Sequence, residues 1–499
     1  MLFKNSARAF GLGIVLSLAS GCGQSPGGAG GFNVGSAGPV SRASCGAGSA
    51  PETGLQGQVS REDRISGRNL AAYSCNLRKV GQYQGEGASW VNPSSGKCAY
   101  MATAFLGLAT KLSPGVQVVD VRNPANPVLS KNLTSPAFLL GTWETLSVNE
   151  ARQLLGGVAV GEALAPAFID LYDISADCAN PVHLNGIAGT SLELPANFLG
   201  HEGNFSPDGN TYWSTGLAGG SITAIDVSDP TTPRILYTGI SGFAANHGIE
   251  FSPDGNRAYL ANALPGGLII LDVSDIQNRV PVPTVRQISL LTWNLASIGQ
   301  HALPVSYGDR PYVFVADEFA AEGVRIVDVS DETNPTIVAQ IQLEIQRPEN
   351  ASIRAADTAG NGFFGYEAHY CDVDRKQNPT ALACGFMQSG IRVFDVRDPA
   401  NPREIAYFNP PAQVGKSSML QGSEHATGLG LAPTVSDIVV GGLEGAGNYV
   451  IDLATRSDAN LSTDWCSSPP RFVGDQLWVT CQDNGFMVLE FTNDVFPFN

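Results

Sequence analysis

Ile222-Thr223-Ala224-Ile225-Asp226-Val227-Ser228-Asp229-Pro230 is an alternating apolar segment that ends in Asp and runs into a polar turn closed by Pro. Apolar residues at every second position make a half-buried β-strand, and the Asp and Pro stop it. The pattern returns as Val116–Asp120, Ile169–Asp173, Leu268–Asp272, Val324–Asp328 and Ile391–Asp395, with a weaker copy at Phe486–Glu490. Seven copies along 499 residues mark a repeat architecture, which overrides the several domains that length alone suggests.

Around each copy the neighbouring residues complete a four-stranded unit. His247–Phe251 reads as an inner strand, Ser252-Pro253-Asp254-Gly255 as a turn and Arg257–Ala261 as the second strand. The Asp-ending strand is third, and a fourth follows the Pro turn, as in Pro233–Tyr237. Short antiparallel strands joined by such turns pack as radial sheets, so the fold class is all-β, a seven-bladed β-propeller over residues 66–499. Asn76-Leu77-Arg78-Lys79-Val80-Gly81 has the look of a fourth strand yet precedes the first unit, while almost no chain follows the last. The N-terminal strand is therefore predicted to complete the seventh blade and remove its open edge. These repeats resemble the LVIVD-repeat β-propeller family over roughly residues 75–492. That resemblance implies a fold and carries no activity with it.

Lys4 and Arg8, the apolar run Phe10–Leu18 and Ala19-Ser20-Gly21 before Cys22 have the order of a signal peptide. Small residues followed by Cys resemble a bacterial lipoprotein signal, which implies a lipid anchor at Cys22 after removal of the preceding segment, and a location in the periplasm, at the outer membrane or on the cell surface. Residues 23–65 are rich in Gly, Ser and Ala without periodicity and are expected to form a flexible tether. Setting Cys22 aside leaves eight of the nine cysteines, an even number suited to an oxidising compartment. Cys371 with Cys384, and Cys466 with Cys481, flank the first hairpins of blades six and seven and are expected to pair, whereas the pairing of Cys45, Cys75, Cys98 and Cys178 stays open. A net charge of −17 disfavours nucleic acid as a partner.

Aligning the starts of the inner strands exposes a pattern. His201, His247, His301 and His369 each precede their repeat Asp by 25 to 27 residues, and an apolar residue (Phe205, Phe251, Val305, Val373) falls four positions after each. The same frame gives Glu86 and Glu144 in blades one and two, and alignment through the cysteines gives Asp464 in blade seven. Inner strands line the central channel, so these seven side chains are expected around one axis. Imidazole with carboxylate suits Fe, Cu, Zn or Mn better than Ca. The layout is similar, in architecture alone, to the four-His iron site and outer Glu residues of carotenoid-cleavage oxygenases. A hydrogen-bonded polar plug without metal, and an anionic substrate held by protonated His, are the other readings of such a ring.

The expected function is a metal-dependent oxidoreductase or oxygenase acting on a small molecule. The alternatives are a metal-dependent hydrolase such as a lactonase, and a non-catalytic surface propeller that binds a protein partner. Residues 410–462 form the longest insertion and a candidate lid; His425 within it is read as a surface residue. His183 falls in an outer strand, and Glu202 is expected on the face of its strand opposite His201.

Overall fold

The computed structural model describes residues 38–103, 112–159, 167–186, 189–192, 200–216, 219–241, 245–263, 265–294, 297–362, 364–416, 419–427 and 463–498. Signal segment 1–22 and the anchor position Cys22 lie outside them. Among the described residues there are seven antiparallel sheets, built on consecutive strands apart from the N-terminal strands that join blades six and seven. Blade one holds Ser94–Ser95, Cys98–Met101, Val116–Asp120 and Val128–Leu133. Blade two holds Ser147–Asn149, Leu154–Val158 and Ala167–Asp173, with its outer strand split into Val182–His183 and Thr190–Leu192. Blades three to five run from Gly200 to Ile240, Asn246 to Asn294 and Ile298 to Ile341. Blade six runs from Cys371 to Asn409, and blade seven from Arg471 to Phe491.

The repeat Asp has a physical task. The carboxylates of Asp120, Asp173, Asp226, Asp272, Asp328 and Asp395 each accept the backbone N–H two residues on. That bond turns the chain sharply at the strand end, in place of a ladder partner. In five blades the register between third and fourth strands slips by one residue just before this Asp. Such a bulge adds twist, which a propeller blade needs.

What holds the ring is apolar packing between neighbouring blades. Seven hydrophobic clusters each bridge one pair, from blades one and two (Tyr100, Val118, Leu155) around to blades seven and one (Trp478, Val488, Val119). Closure follows the expectation: Leu77–Tyr83 pairs with Gly485–Phe491 as the fourth strand of blade seven. Just upstream, Tyr73–Cys75 adds a fifth strand to blade six.

All eight described cysteines are paired. Cys371–Cys384 and Cys466–Cys481 form as expected, and the open pairings resolve as Cys45–Cys75 and Cys98–Cys178. The last joins blade one to the turn of blade two. Four disulfides fit an oxidising, exported environment. No helix among the described residues is long and apolar enough to cross a membrane.

The flexible tether expected over residues 23–65 is not found where that segment is described. From residue 38 on, the chain is packed against the propeller. Arg392, fully buried, pairs with Glu52 of this segment and with Glu404. Gln56 Nε2 donates to Glu404 at 2.8 Å, Arg42 pairs with Glu344, and Arg61–Ser66 is a short helix capped by Ser60. Ion pairs, side-chain hydrogen bonds, the Cys45–Cys75 disulfide and the isolated buried residues Val40 and Val59 hold this strap, so hydrophobic periodicity gives no sign of it. Residues 23–37 lie outside the described residues.

Candidate metal centre

The cross-strand register decides which residues share a level around the channel. Phe205 faces Tyr212, Phe251 faces Ala258 and Val373 faces Leu382, each partner being one residue along from the one opposite the repeat Asp. In blade two the same place belongs to Val148, opposite Leu155. Four residues back from these stand His201, His247, His369 and Glu144, so that part of the frame is the structural one.

In blade five the frame slips by one. Pro304, not Val305, faces the equivalent Val313, so Gln300 rather than His301 takes the ring position. In blades one and seven it slips by four. Ser94 faces Ala99 and Phe472 faces Leu477, which gives Trp90 and Ser468 in place of Glu86 and Asp464. Apolar residues four positions on were an ambiguous guide in strands with several apolar positions. The cysteines misled too: Cys371 is the direct cross-strand partner of Cys384, whereas Cys466 lies before its blade's first strand.

Four of the seven expected residues come together. Nε2 of His201 lies 2.8 Å from Glu144 Oε2, Nε2 of His247 lies 3.6 Å from the same oxygen, and Nε2 of His369 lies 3.3 Å from Glu144 Oε1. The His201 contact lacks hydrogen-bond alignment, leaving Oε2 of Glu144 without a hydrogen-bond partner although it is buried. Donor atoms of Glu144, His201 and His247 all lie within 4.8 Å of one another. Behind them, His247 Nδ1 is 2.9 Å from Glu202 and His369 Nδ1 is 3.3 Å from the carbonyl of Ser467. A carbonyl only accepts, so the His369 proton sits on Nδ1 and the Nε2 lone pair faces inward. Glu318 stands 3.8 Å from His247 Nε2 and 3.6 Å from His369 Nε2.

Burial dominates the electrostatics. It pushes the carboxyls of Glu144 and Glu202 up to about 8 and raises Glu318 as well. It also drives His201 and His247 down to about 4, and His369 to about 3. A buried group of carboxyls and neutral imidazoles with no cation among them keeps its protons. A divalent cation would displace them and supply the missing positive charge.

The other three candidates lie elsewhere. His301 Nε2 is 3.6 Å from Glu250, and its ring centroid is 4.9 Å from that of Tyr370. Glu86 accepts the backbone N–H groups of Leu112 and Ser113 at 2.9 and 2.7 Å. Asp464 accepts the backbone N–H groups of Trp465, Asp483 and Asn484 and the Asn484 side-chain amide, which ties up its carboxylate. The four-His layout of the sequence comparison is therefore three His here. His425 is not a surface residue: it is buried, 2.8 Å from Asp483, and joined there by Lys416. His425, Asp464 and Asp483 form a second group of metal-ligand type. Burial opposes ionisation of Asp483, but Lys416 and His425 hold its carboxyl well below the usual range. Lys416 thus supplies the positive charge there, and the group reads as a clip between the insertion and blade seven. Residues 428–462 of the candidate lid lie outside the described residues. His183 sits in the outer strand as expected, 2.8 Å from Asp170.

Sequence reasoning missed Glu202, Glu318 and Gln300. Glu202 was assigned to the wrong face because alternation fails at a bulge: Gly200 and Glu202 pair with consecutive residues, Gly216 and Thr215, and His201 is the extra one. The same slip occurs at the start of the inner strands of blades four and five. Gly248 is its one visible trace, since a Cβ there would lie 2.6 Å from the Gln300 carbonyl and 2.8 Å from Glu202. Glu318 ends a second strand, outside any search confined to inner strands.

The chain carries the LVIVD repeat: a family model of that description matches residues 113–135 and 307–342, which cover the outer half of blade one and most of blade five. No curated protein matches the chain. Similar solved structures include a protein from Lactobacillus plantarum, 16% identical, covering 61% of this chain and 82% of its own with a TM-score of 0.43. A protein from Desulfotomaculum acetoxidans DSM 771, described as functionally unknown, is 15% identical and covers 64% and 86%, also with a TM-score of 0.43.

Proposed function

We propose that this propeller holds a divalent transition metal in its channel, through Nε2 of His201, His247 and His369 and the carboxylate of Glu144, and is a metal-dependent oxidoreductase or oxygenase. One observation carries the reading: three imidazoles turn Nε2 toward a single buried carboxylate, while Glu202 and the Ser467 carbonyl hold Nδ1 of two of them from behind. Metal-binding histidines are oriented in this way by acceptors on the far nitrogen. Three nitrogens and one carboxylate suit Fe, Cu, Zn or Mn, which would supply Lewis-acid or redox chemistry there. Glu318 and Gln300 border the same carboxylate and imidazoles and are placed to orient what binds there.

Elemental mass spectrometry of untagged protein tests this. Wild type is expected to carry near-stoichiometric metal, the folded His201→Ala/His247→Ala/His369→Ala variant none, and His301→Ala the wild-type amount. Fe or Cu supports redox chemistry, and Zn shifts the reading to a hydrolase. No metal in wild type after reconstitution with each of the four ions would leave a binding propeller as the better account.

We further propose that the chain is exported as a lipoprotein anchored through Cys22, on the strength of the sequence around it. Labelling with palmitate, lost on Cys22→Ser, is the check. The acidic balance argues against nucleic acid as a partner.

A further inference from the structure

Beside the imidazoles lies an aromatic wall that belongs to none of the seven inter-blade clusters. Trp90, Phe364, Met387 and Trp465 form one buried group, with Trp143 and Phe319 packed at its edge. Trp90 stacks on His369 with ring centroids 5.4 Å apart and on Trp465 at 6.0 Å. Phe364 meets both indoles edge-on at 5.3 Å, and Phe319 stacks on Phe364 at 5.3 Å. Trp143 lies 5.5 Å from His201. The wall therefore touches the His/Glu cluster at both His201 and His369.

Two independent observations set it apart from ordinary core. First, three of its six residues hold left-handed backbone: Trp143 at φ 45°, Phe319 at φ 67° and Met387 at φ 39°. Bulky side chains avoid that region, and where it persists it concentrates at binding and catalytic sites. Second, the indole N–H groups of Trp90 and Trp465, 2% and 0% exposed, have no hydrogen-bond partner among the described residues. The same holds for Nε2 of Gln482, whose backbone N–H is bonded to the Trp465 carbonyl. Buried donors are almost always paired, so a group of them beside aromatic faces calls for an acceptor.

We propose that this wall binds an uncharged, planar aromatic or conjugated molecule carrying a carbonyl oxygen, seated beside His369. The faces of Trp90 are covered by His369 and Trp465, and those of Trp465 by Trp90 and His425, so a flat ring would meet the indoles at their N–H edges in edge-to-face contact. The N–H groups of Trp90 and Trp465 supply donors for the oxygen. Unpaired N–H donors disfavour a cation, and the apolar wall itself offers an anion no counter-charge. The role of this ligand as substrate rests on the metal reading above; its binding does not.

The probe is 6-propionyl-2-(dimethylamino)naphthalene, an uncharged planar ketone whose emission shifts to the blue on leaving water. Titrated into the full chain, it is expected to bind saturably at one site. Trp90→Phe and Trp465→Phe keep a ring and remove an N–H, so each is expected to weaken binding about three- to tenfold. Trp213→Phe, in the packing between blades three and four, leaves it unchanged. The His201→Ala/His247→Ala variant is expected to lose metal and still bind the probe, which separates failure of this proposal from failure of the metal reading. Photolabelling of wild type with benzophenone, another uncharged aromatic ketone, is expected on peptides carrying Trp90, Phe364 or Trp465 and needs no variant to fold. The proposal is overturned by absence of saturable binding, by unchanged affinity in both Phe variants, or by labelling only elsewhere. Tighter binding of the anionic 1-anilinonaphthalene-8-sulfonate at the same site would overturn the uncharged assignment.

Discussion

Glu202 illustrates how one carboxyl can govern a site it need not enter. It lies 2.9 Å from His247 Nδ1 and, being buried, is 5% exposed. With Glu202 ionised, that contact fixes the proton on Nδ1 and turns the Nε2 lone pair toward Glu144. Glu202→Gln keeps the size and removes the ability to ionise when a cation binds. It is expected to lower metal affinity about 10- to 100-fold with little change in folding. Competition with a chelator reads the affinity, and an unchanged value would remove Glu202 from the site. His201, His247, His369 and Glu144 were legible in the sequence because their blades keep the spacing from the inner-strand start to its apolar anchor. His301 was misassigned because a neighbouring apolar residue, Val305, imitates Pro304 as that anchor. Glu202 was hidden by a bulge, which reverses side-chain direction without altering composition.

At the scale of the element, the bulges and the closing strand do different work. Bulges at the inner-strand starts of blades three to five bring adjacent residues, such as His201 and Glu202, to one neighbourhood that regular pleating would keep apart. The strand Leu77–Tyr83 supplies the outer edge of blade seven, and Leu77 also enters the packing between blades six and seven. Deleting residues 77–83 leaves Gly485–Phe491 as an open edge, so loss of the cooperative melt and concentration-dependent association are expected. Light scattering during a thermal melt reads both; a monomer melting as wild type does would show that the strand is dispensable. The strand was legible because its sequence repeats other outer strands. The strap before it was not, since Glu52, Gln56 and Arg42 hold it through polar contacts whose partners lie hundreds of residues away.

For the molecule as a whole, the buried cluster couples stability to pH and, on the proposed reading, to metal. Glu144 and Glu202 titrate near 8 in the folded chain against an ordinary value of 4.5. Between those values the folded state holds protons that the unfolded state has released, so stability present at low pH is lost as pH rises through 8. His201 and His247 titrate near 4 against 6.5, so their contribution is present above 6.5 and lost as pH falls through 4. Without metal, the melting temperature is expected to decline from pH 6.5 to 8.5, and bound metal to flatten that limb, because a cation stabilises the ionised carboxylates. Melts in chelator and in metal across this range test it; parallel curves would count against a metal at these carboxyls. Fold class was open to sequence reasoning because one short pattern recurs in every blade. The channel was only half so, because its geometry depends on register, which a single residue shifts. The Cys45–Cys75 link has a mechanical meaning. A pull applied at the N-terminal side of residue 45 crosses the disulfide straight to Cys75, which is hydrogen-bonded into the outer strand of blade six. Force thus enters a complete blade first, and reaches the strand that shuts the ring only after that seam has torn.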